Sequence, residues 1–285
     1  MSKMLKRFGV DISSANGEVD FAALKAAGVE FVLIRCGYGN DDVSQDDGQF
    51  FENVRKAKAH GIPYGVYLYS YALSEADAYS EVRHALRLLG GIDKPAYGVW
   101  FDMEDADGYK ASHGMPSNHT LREICGIFCR EVEKAGYYTG IYAALSWLEN
   151  QLNSPSLAQY DKWVAQWNVS CDYRAPFAIW QYTDKLVIGG TRFDGNWAYK
   201  DYPSLTGAKK EDEKMLSYEE FKKYMERYEK EQAAKPVSAW AKDEWEEAVA
   251  AGELDGTQPR APLTREQYAV SRARQIKAEG GSAHD

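Results

Sequence analysis

The stretch "AAGVEFVLIRCGYG" (residues 26–39) joins the end of a helix, a glycine and an apolar strand without any intervening loop. The same order returns in "AHGIPYGVYLYSY" (59–71) and "KAGYYTGIYAA" (134–144). Glycine is common just past a helix because it adopts the left-handed conformation without a steric penalty. Each stretch therefore predicts a helix that stops at glycine and passes directly into a buried strand. Such repeats are typical of α/β folds with parallel strands.

The rest of the chain extends this alternation. Strands are predicted at 7–11, 30–37, 63–71, 96–104, 138–143, 162–167, 177–183 and 191–196. Helices are predicted at 20–27, 47–60, 74–89, 118–135 and 144–152, with left-handed glycines after four of them, Gly28, Gly61, Gly90 and Gly136. We expect an irregular βα (TIM-like) barrel, α/β in class. A doubly wound sheet is the alternative, although "DISSANGEVDF" (11–21) is not the glycine-rich phosphate loop of that fold.

The composition changes near residue 205 and predicts three regions. Residues 1–204 form the barrel, residues 205–235 a charged linker with an amphipathic helix, and residues 236–285 a small all-helical module. Ser217 and Glu220 fit a capping box at the start of the amphipathic helix. We expect the apolar side of this helix to pack on a neighbouring module or to form a homo-oligomer through residues 217–277.

The charge and cysteine content restrict the function. The net charge is −9, which argues against nucleic acid and anionic membranes as partners. The four cysteines form no CxxC pair and predict no metal site. The N-terminal residues lack the apolar run of a signal peptide, so we expect synthesis in a bacterial cytoplasm and release by another protein.

The strand "AYGVWFDME" (96–104) runs into a group of acidic residues. Successive side chains of a strand point to opposite faces. One face would meet the helices with Val99, Phe101 and Met103. The other would line the inside of the barrel with Trp100, Asp102 and Glu104. Asp102 and Glu104 would stand at the C-terminal mouth with Cα atoms roughly 6.5–7 Å apart. Two enclosed carboxyls cannot both ionise freely, so one pKa should rise, as glycoside hydrolysis requires. The alternative is a solvated acidic turn, which is the interpretation kept for Asp105 and Asp107 past the strand end.

Two further acids and several polar side chains fit the same mouth. Asp11 closes the first strand and Asp194 lies in the last, at its predicted C-terminal end, although both also suit turns. A tyrosine ladder and two amides can bind sugar hydroxyls, or serve the structure alone: Tyr67, Tyr69, Tyr71, Gln166 and Gln181.

These residues stand in motifs that resemble glycoside hydrolase family 25. The motifs are "GVDISSANGEVDFAALKAAGVEFVLIRCGYG" (9–39), "YGVYLYSYA" (64–72), "VWFDMED" (99–105), "YTGIYAALSW" (138–147), "WVAQWN" (163–168), "IWQYTD" (179–184) and "RFDGN" (192–196). The resemblance implies a muramidase (lysozyme) that needs no cofactor. It would cleave the β-1,4 bond between N-acetylmuramic acid and N-acetylglucosamine in bacterial peptidoglycan, with net retention.

The resemblance also implies roles for single residues. Glu104 matches the general acid/base, Asp102 its carboxylate partner, and Asp11 and Asp194 the other active-site acids. It leaves open whether Asp102 or the acetamido group of the substrate is the nucleophile. Further positions resemble the saccharide groove: Arg35, Tyr67, Tyr69, Tyr142, Gln166 and Trp180.

The C-terminal module has a resemblance of its own. "WAKDEWEEAVAAGELDG" (240–256) and "PLTREQYAV" (262–270) resemble a single S-layer-homology repeat, which implies binding to a secondary cell-wall polymer. The whole looks like a phage endolysin that reaches the wall through a holin. Two alternatives are a non-catalytic wall-binding protein on a degenerate barrel and a chitinase-like hydrolase, whose longer DxxDxDxE spacing is absent.

Overall fold

The computed structural model describes residues 5–207 and 218–252, together with 254 and 257. The chain divides into two compact units, Met1–Glu211 and Asp212–Asp285. Within the described residues, no helix is long and apolar enough to cross a membrane.

The first unit is a closed barrel of eight strands arranged in chain order. The strands are β1 (Arg7–Ile12), β2 (Phe31–Tyr38), β3 (Tyr64–Tyr69), β4 (Val99–Asp102), β5 (Thr139–Ala144), β6 (Asp161–Ala165), β7 (Ile179–Ile188) and β8 (Thr191–Ala198). Neighbours from β1 to β7 pair in parallel, whereas β8 is antiparallel to both β7 and β1. The predicted barrel is thus confirmed, and the doubly wound alternative is wrong.

Helices connect the strands from β1 to β6, and one further short helix follows β8. They are α1 (Phe21–Ala26), α2 (Phe50–Ala59), α3 (Glu75–Leu89), α4 (Tyr109–Ser112), α5 (Asn118–Lys134), α6 (Leu145–Glu149) and α7 (Tyr202–Leu205). Gly28, Gly61 and Gly136 have positive φ angles of 82°, 60° and 89°, as predicted. The prediction is wrong for Gly90, whose φ is −63°. Right-handed turns continue past it, since the next two amide groups still donate to Leu88 and Leu89.

The inward and outward faces of β4 follow the predicted alternation. Phe101 faces the helices and stacks on Phe128 of α5, with ring centroids 4.1 Å apart. Trp100 points into the barrel, where it meets Trp163 and Tyr202 edge-on. Gly140 of β5 makes room for this indole, because a Cβ atom there would lie 2.4 Å from the Trp100 ring. The barrel interior is therefore a packed aromatic core below the mouth.

Strands β7 and β8 form a hairpin longer than the predicted segments. Gly189 and Gly190 connect them with φ angles of 58° and 86°. Two consecutive positive φ angles are the mark of the tight two-residue turn that suits twisted antiparallel strands. The hairpin makes β8 run opposite to the other seven strands.

The second unit contains two described helices, α8 (Tyr218–Ala233) and α9 (Lys242–Ala250). The helix α8 covers the predicted amphipathic helix, whereas Ser217 of the expected capping box lies outside the described residues. Most of the predicted module at 236–285 also lies outside them.

Candidate active site

The four predicted acids come together at one mouth of the barrel. Asp102 is the last residue of β4, and Glu104 follows two residues later. Asp11 of β1 lies directly opposite Asp194 of β8 in the antiparallel ladder. Asp102 stands in one row with Tyr69 of β3 and Tyr142 of β5. The mouth thus combines two pairs of carboxyls with phenol rings.

Asp194 reaches this mouth for a different reason from the predicted one. We expected it at the C-terminal end of a parallel strand, but it is in the N-terminal half of β8. Since β8 is antiparallel, its N-terminal half lies beside the C-terminal ends of its neighbours. The predicted location is correct and the predicted strand end is wrong.

Asp11 is buried and held by two amides. Its Oδ2 accepts hydrogen bonds from Nδ2 of Asn196 (2.7 Å) and Nε2 of Gln181 (3.0 Å). Burial, and then repulsion from Asp194, raises the pKa of Asp11 to about 8 despite these bonds. Asp11 therefore keeps its proton at neutral pH.

Asp102 and Glu104 form the second pair. Asp102 is only 4% exposed, and its Oδ1 atom has no hydrogen-bond partner within the described part of the chain. Burial and repulsion from Glu104 raise the pKa of Asp102 well above its usual range. Burial also raises the pKa of Glu104 to about 7, although Lys110 and a hydrogen bond with Asp102 act to lower it. The sequence predicted one raised pKa, and both are raised.

Asp194 is the fourth acid, and its pKa is also raised. Burial and repulsion from Asp184 raise its pKa to about 6, while Arg192 acts in the opposite direction. Its Oδ2 atom lies 3.4 Å from Nε2 of Gln181. We therefore expect Asp194 to lose its proton at a lower pH than Glu104 or Asp11.

Gln181 connects the acids to the aromatic residues. Besides donating to Asp11, its Oε1 accepts from the hydroxyl of Tyr142 (3.2 Å) and from Nε1 of Trp167 (3.2 Å). The sequence suggested Gln181 only as an additional amide. Asn196 was not identified as a site residue at all, although its Oδ1 accepts from Nε1 of Trp163 (2.8 Å) in the core below.

The remaining groove positions divide into two groups. Arg35 and Tyr67 lie opposite each other on β2 and β3, next to the acids. Nε of Arg35 donates to Asp47 (2.8 Å). Burial opposes the Arg35 charge, but Tyr67, Asp47 and Asp102 outweigh it and raise the pKa of Arg35.

Gln166 and Trp180 have other contacts. Nε2 of Gln166 donates to Asp172 (2.5 Å), and Nε1 of Trp180 donates to the Gln166 carbonyl (2.8 Å). Trp180 also precedes Gln181 on the same strand, so its side chain points to the opposite face. The structure therefore links both to the loop after β6, and their substrate contacts stay a prediction.

The acids past the end of β4 order the turn that follows. Asp105 accepts from the backbone amides of Lys110 (2.6 Å) and Ala111 (3.0 Å) at the start of α4. Asp107 accepts from the hydroxyls of Tyr71 (2.6 Å) and Tyr69 (3.4 Å). Their interpretation as a merely solvated turn was incomplete, because both carry structural hydrogen bonds.

This arrangement suits proton transfer to a bound sugar. Enclosed carboxyls with pKa values near or above 7 are proton donors at mildly acidic pH, which is the requirement for a general acid. The neighbouring phenols and amides can hold hydroxyl and acetamido groups. Among the described residues, no group of three or more His, Cys, Asp or Glu could hold a metal ion.

Two curated proteins are similar in sequence to this chain. The chain is 25% identical over 183 residues to the autolytic lysozyme of Clostridium acetobutylicum, covering 64% of this chain and 52% of that protein. It is 27% identical over 200 residues to a probable family 25 lysozyme of Dictyostelium discoideum, covering 66% and 89%. The chain spans about half the length of the Clostridium relative.

Solved structures share the fold. The modular autolysin LytC of Streptococcus pneumoniae, solved with a synthetic peptidoglycan ligand, has a TM-score of 0.63 and 26% identity over 70% of this chain and 48% of its own. A lysozyme of Streptomyces coelicolor has a TM-score of 0.60 and 22% identity over 72% and 97%. The model of the glycosyl hydrolases family 25 matches residues 10–191, more than half of the 285 residues. The chain therefore belongs to glycosyl hydrolase family 25.

Proposed function

We propose that the protein is a lysozyme of the N-acetylmuramidase type. It would hydrolyse the β-1,4 bond between N-acetylmuramic acid and N-acetylglucosamine in peptidoglycan. The observation that carries the proposal is the group of four enclosed acids with raised pKa values at one mouth of the barrel. The names of the relatives support it, since the two curated proteins are called lysozymes and LytC was solved with a peptidoglycan ligand.

In this proposal Glu104 is the general acid and then the general base. With a pKa of about 7, its carboxyl carries a proton in mild acid and can give it to the glycosidic oxygen as the bond breaks. The resulting carboxylate then takes a proton from the water that completes hydrolysis. Because two displacements occur at the same carbon, the configuration is retained.

The state of Asp102 favours the acetamido group as the nucleophile. Burial raises the pKa of Asp102 well above its usual range, which disfavours the ionised carboxylate that a direct attack needs. Its unpartnered Oδ1 atom can instead accept a hydrogen bond from the acetamido N–H. The acetamido oxygen would then attack the anomeric carbon while Glu104 protonates the leaving oxygen.

Asp11 and Asp194 would orient the substrate and adjust the charge of the site. Their amide partner Gln181 also holds Tyr142, which stands beside Asp102 in the barrel. Tyr69, Tyr67 and Arg35 line the neighbouring strands and would contact the sugars.

We extend the proposal to the second unit and to the biological setting. Residues 236–285 would bind a secondary cell-wall polymer, or residues 217–277 would join copies of the chain. The resemblance of this region to an S-layer-homology repeat, next to a family 25 barrel, supports a phage endolysin that a holin releases to the wall. Light scattering of the chain with and without residues 205–285 would test the oligomer.

The activity is tested with purified peptidoglycan and the variant Glu104→Gln. The wild-type chain should release new muramic-acid reducing ends, and Glu104→Gln should lower the rate by at least about 100-fold. The control is Glu133→Gln, since Glu133 is exposed in the last turn of α5, at the opposite end of the barrel. Full activity of Glu104→Gln would contradict the assignment of the acid. If the wild-type chain does not hydrolyse peptidoglycan, the non-catalytic alternative is favoured. If it releases N-acetylglucosamine reducing ends, a chitinase-like hydrolase is favoured.

A further inference from the structure

Lys110 is a completely buried lysine next to the backbone of Glu104. It lies in the short helix α4 after β4, and its side chain is inaccessible to solvent. Lysine is almost never fully buried unless its charge is compensated. The sequence analysis did not identify this residue, and the proposed mechanism does not use it.

The ammonium group of Lys110 connects the ends of two strands. Nζ donates to the backbone carbonyl of Glu104 (2.7 Å) and to the backbone carbonyl of Ser70. Ser70 follows the last residue of β3, and Glu104 follows β4. One side chain therefore fixes the backbone from which the general acid projects.

A buried acid lies on the other side of this link. Glu81 of α3 is completely buried and accepts from Oγ of Ser70 (2.8 Å) and from the amide of Tyr71 (2.6 Å). Burial raises the pKa of Glu81 to about 7, against these hydrogen bonds and the attraction of Lys110. Glu81 and Lys110 thus compensate each other's burial and hold the segment after β3 between them.

The charge of Lys110 also reaches the active-site acids. Burial lowers the pKa of Lys110, while four nearby groups act to raise it: Glu81, Asp102, Asp105 and Cys125. In return, Lys110 acts to lower the pKa values of both Asp102 and Glu104, against burial. Three acids also act on Glu104: Asp102, Asp107 and Asp194. Lys110 offsets them, and Arg35 acts on Asp102 in the same direction.

We propose that Lys110 is a positioning residue for Glu104. It holds the backbone at the ends of β3 and β4 and supplies the buried positive charge that sets the protonation equilibrium of the acid pair. The consequence for catalysis rests on the lysozyme function proposed above. The effect on the protonation of Glu104 does not, so the two can be tested separately.

The test compares two buried lysines. Lys162 of β6 is 5% exposed, and its Nζ also donates to two backbone carbonyls, those of Leu157 (2.7 Å) and Tyr160. The groups that act on its charge are Cys129, Asp161 and Cys125, none of them an active-site acid. Lys162→Met is therefore the control for Lys110→Met, because it also removes a buried ammonium group that donates to two backbone carbonyls.

The readout is the titration of Glu104, followed by carbon NMR of labelled glutamate carboxyls and assigned with Glu104→Gln. Lys110→Met should raise the Glu104 midpoint by about one pH unit, as expected when a nearby opposite charge is lost. Lys162→Met should leave it unchanged. In hydrolysis assays, Lys110→Met should move the alkaline limb of the pH profile upward by the same amount and lower kcat about tenfold or more, with little change in KM.

Two more variants cover the case in which Lys110→Met does not fold. Glu81→Gln with Lys110→Met removes both charges, which buried pairs tolerate better than the loss of one, and it should raise the midpoint in the same way. Glu81→Gln alone keeps the lysine but removes the acid that compensates its burial, so the midpoint should stay below that of the double variant. An unchanged midpoint in a folded Lys110 variant, or a midpoint in Glu81→Gln alone above that of the double variant, would overturn the proposal. An inactive wild-type chain would refute the lysozyme function and leave this titration interpretable.

Discussion

Replacement of Asp11 by asparagine is expected to stabilise the barrel at neutral pH, although it removes one of the four acids. Burial, and then repulsion from Asp194, raises the pKa of Asp11 from 3.8 to about 8. A carboxyl whose pKa rises on folding contributes stability that is complete below the unfolded pKa and is lost as the pH rises through the folded value. The window for this loss runs from about pH 4 to about pH 8.

The size of the effect follows from this window. At pH 7 the wild-type chain is roughly three pH units above the unfolded pKa, and each unit corresponds to about 1.4 kcal/mol. The upper limit is therefore about 4 kcal/mol. The asparagine retains an oxygen that can accept from Asn196 and Gln181, so the variant loses little at pH 4, where aspartate would be protonated in the folded state anyway.

The assay is urea unfolding of the barrel at pH 4 and pH 7, with Asp93→Asn as control because the Asp93 side chain is 73% exposed. Asp11→Asn should have nearly the wild-type free energy of unfolding at pH 4 and exceed it at pH 7, while hydrolysis of peptidoglycan falls at both. If the difference in unfolding free energy between Asp11→Asn and wild type is the same at pH 7 as at pH 4, Asp11 is not held protonated by its surroundings.

Two further predictions concern the acid and the core. The rate of peptidoglycan hydrolysis should fall as the pH rises through about 7, because Glu104 must carry a proton to act as the acid in the proposed mechanism. An initial-rate profile between pH 4 and pH 9 tests this, and a rate that stays constant to pH 9 would contradict it. Gly140→Ala should lower the free energy of unfolding by about 1–3 kcal/mol, because its Cβ would lie 2.4 Å from the Trp100 ring. Gly126→Ala in α5 is the control, since its Cβ would have no atom nearer than 4.0 Å; an equal loss in both variants would argue against the steric reason.

The barrel and the inward face of β4 were predictable because their signals are local. Alternation along a single strand assigns Trp100, Asp102 and Glu104 to one face, and a glycine after a helix indicates where the next strand begins. The direction of the last strand was missed, although the signal was present. The dipeptide Gly189–Gly190 between two apolar strands predicts a tight hairpin, and a hairpin requires antiparallel strands.

The groups that support the acids were not predictable in this way. Lys110 and Ser70 are 40 residues apart, and Asn196 and Asp11 are 185 apart. Each contact depends on the closure of the barrel, so no periodicity or spacing in the sequence points to it. A lysine in "DGYKASHG" (107–114) reads as a solvent-exposed residue until the fold is known.

The antiparallel direction of β8 has a consequence for the chemistry. It places Asp194 directly opposite Asp11 in the ladder, and like charges in that position repel. Neighbouring acids raise the pKa values of Asp11 and Asp102, whereas the supporting groups Gln181 and Lys110 lower them. Loss of Asp11 or Asp194 removes repulsion and favours the folded state, whereas loss of Lys110 or Gln181 leaves the acids with less compensation and favours their neutral forms.

If the site is built for proton transfer, variants of the acids should gain stability as they lose activity. Variants of the supporting groups Lys110 and Gln181 should lose both stability and activity. A buried structural cluster would lose stability in either case, so the signs of these changes distinguish a catalytic site from a structural one.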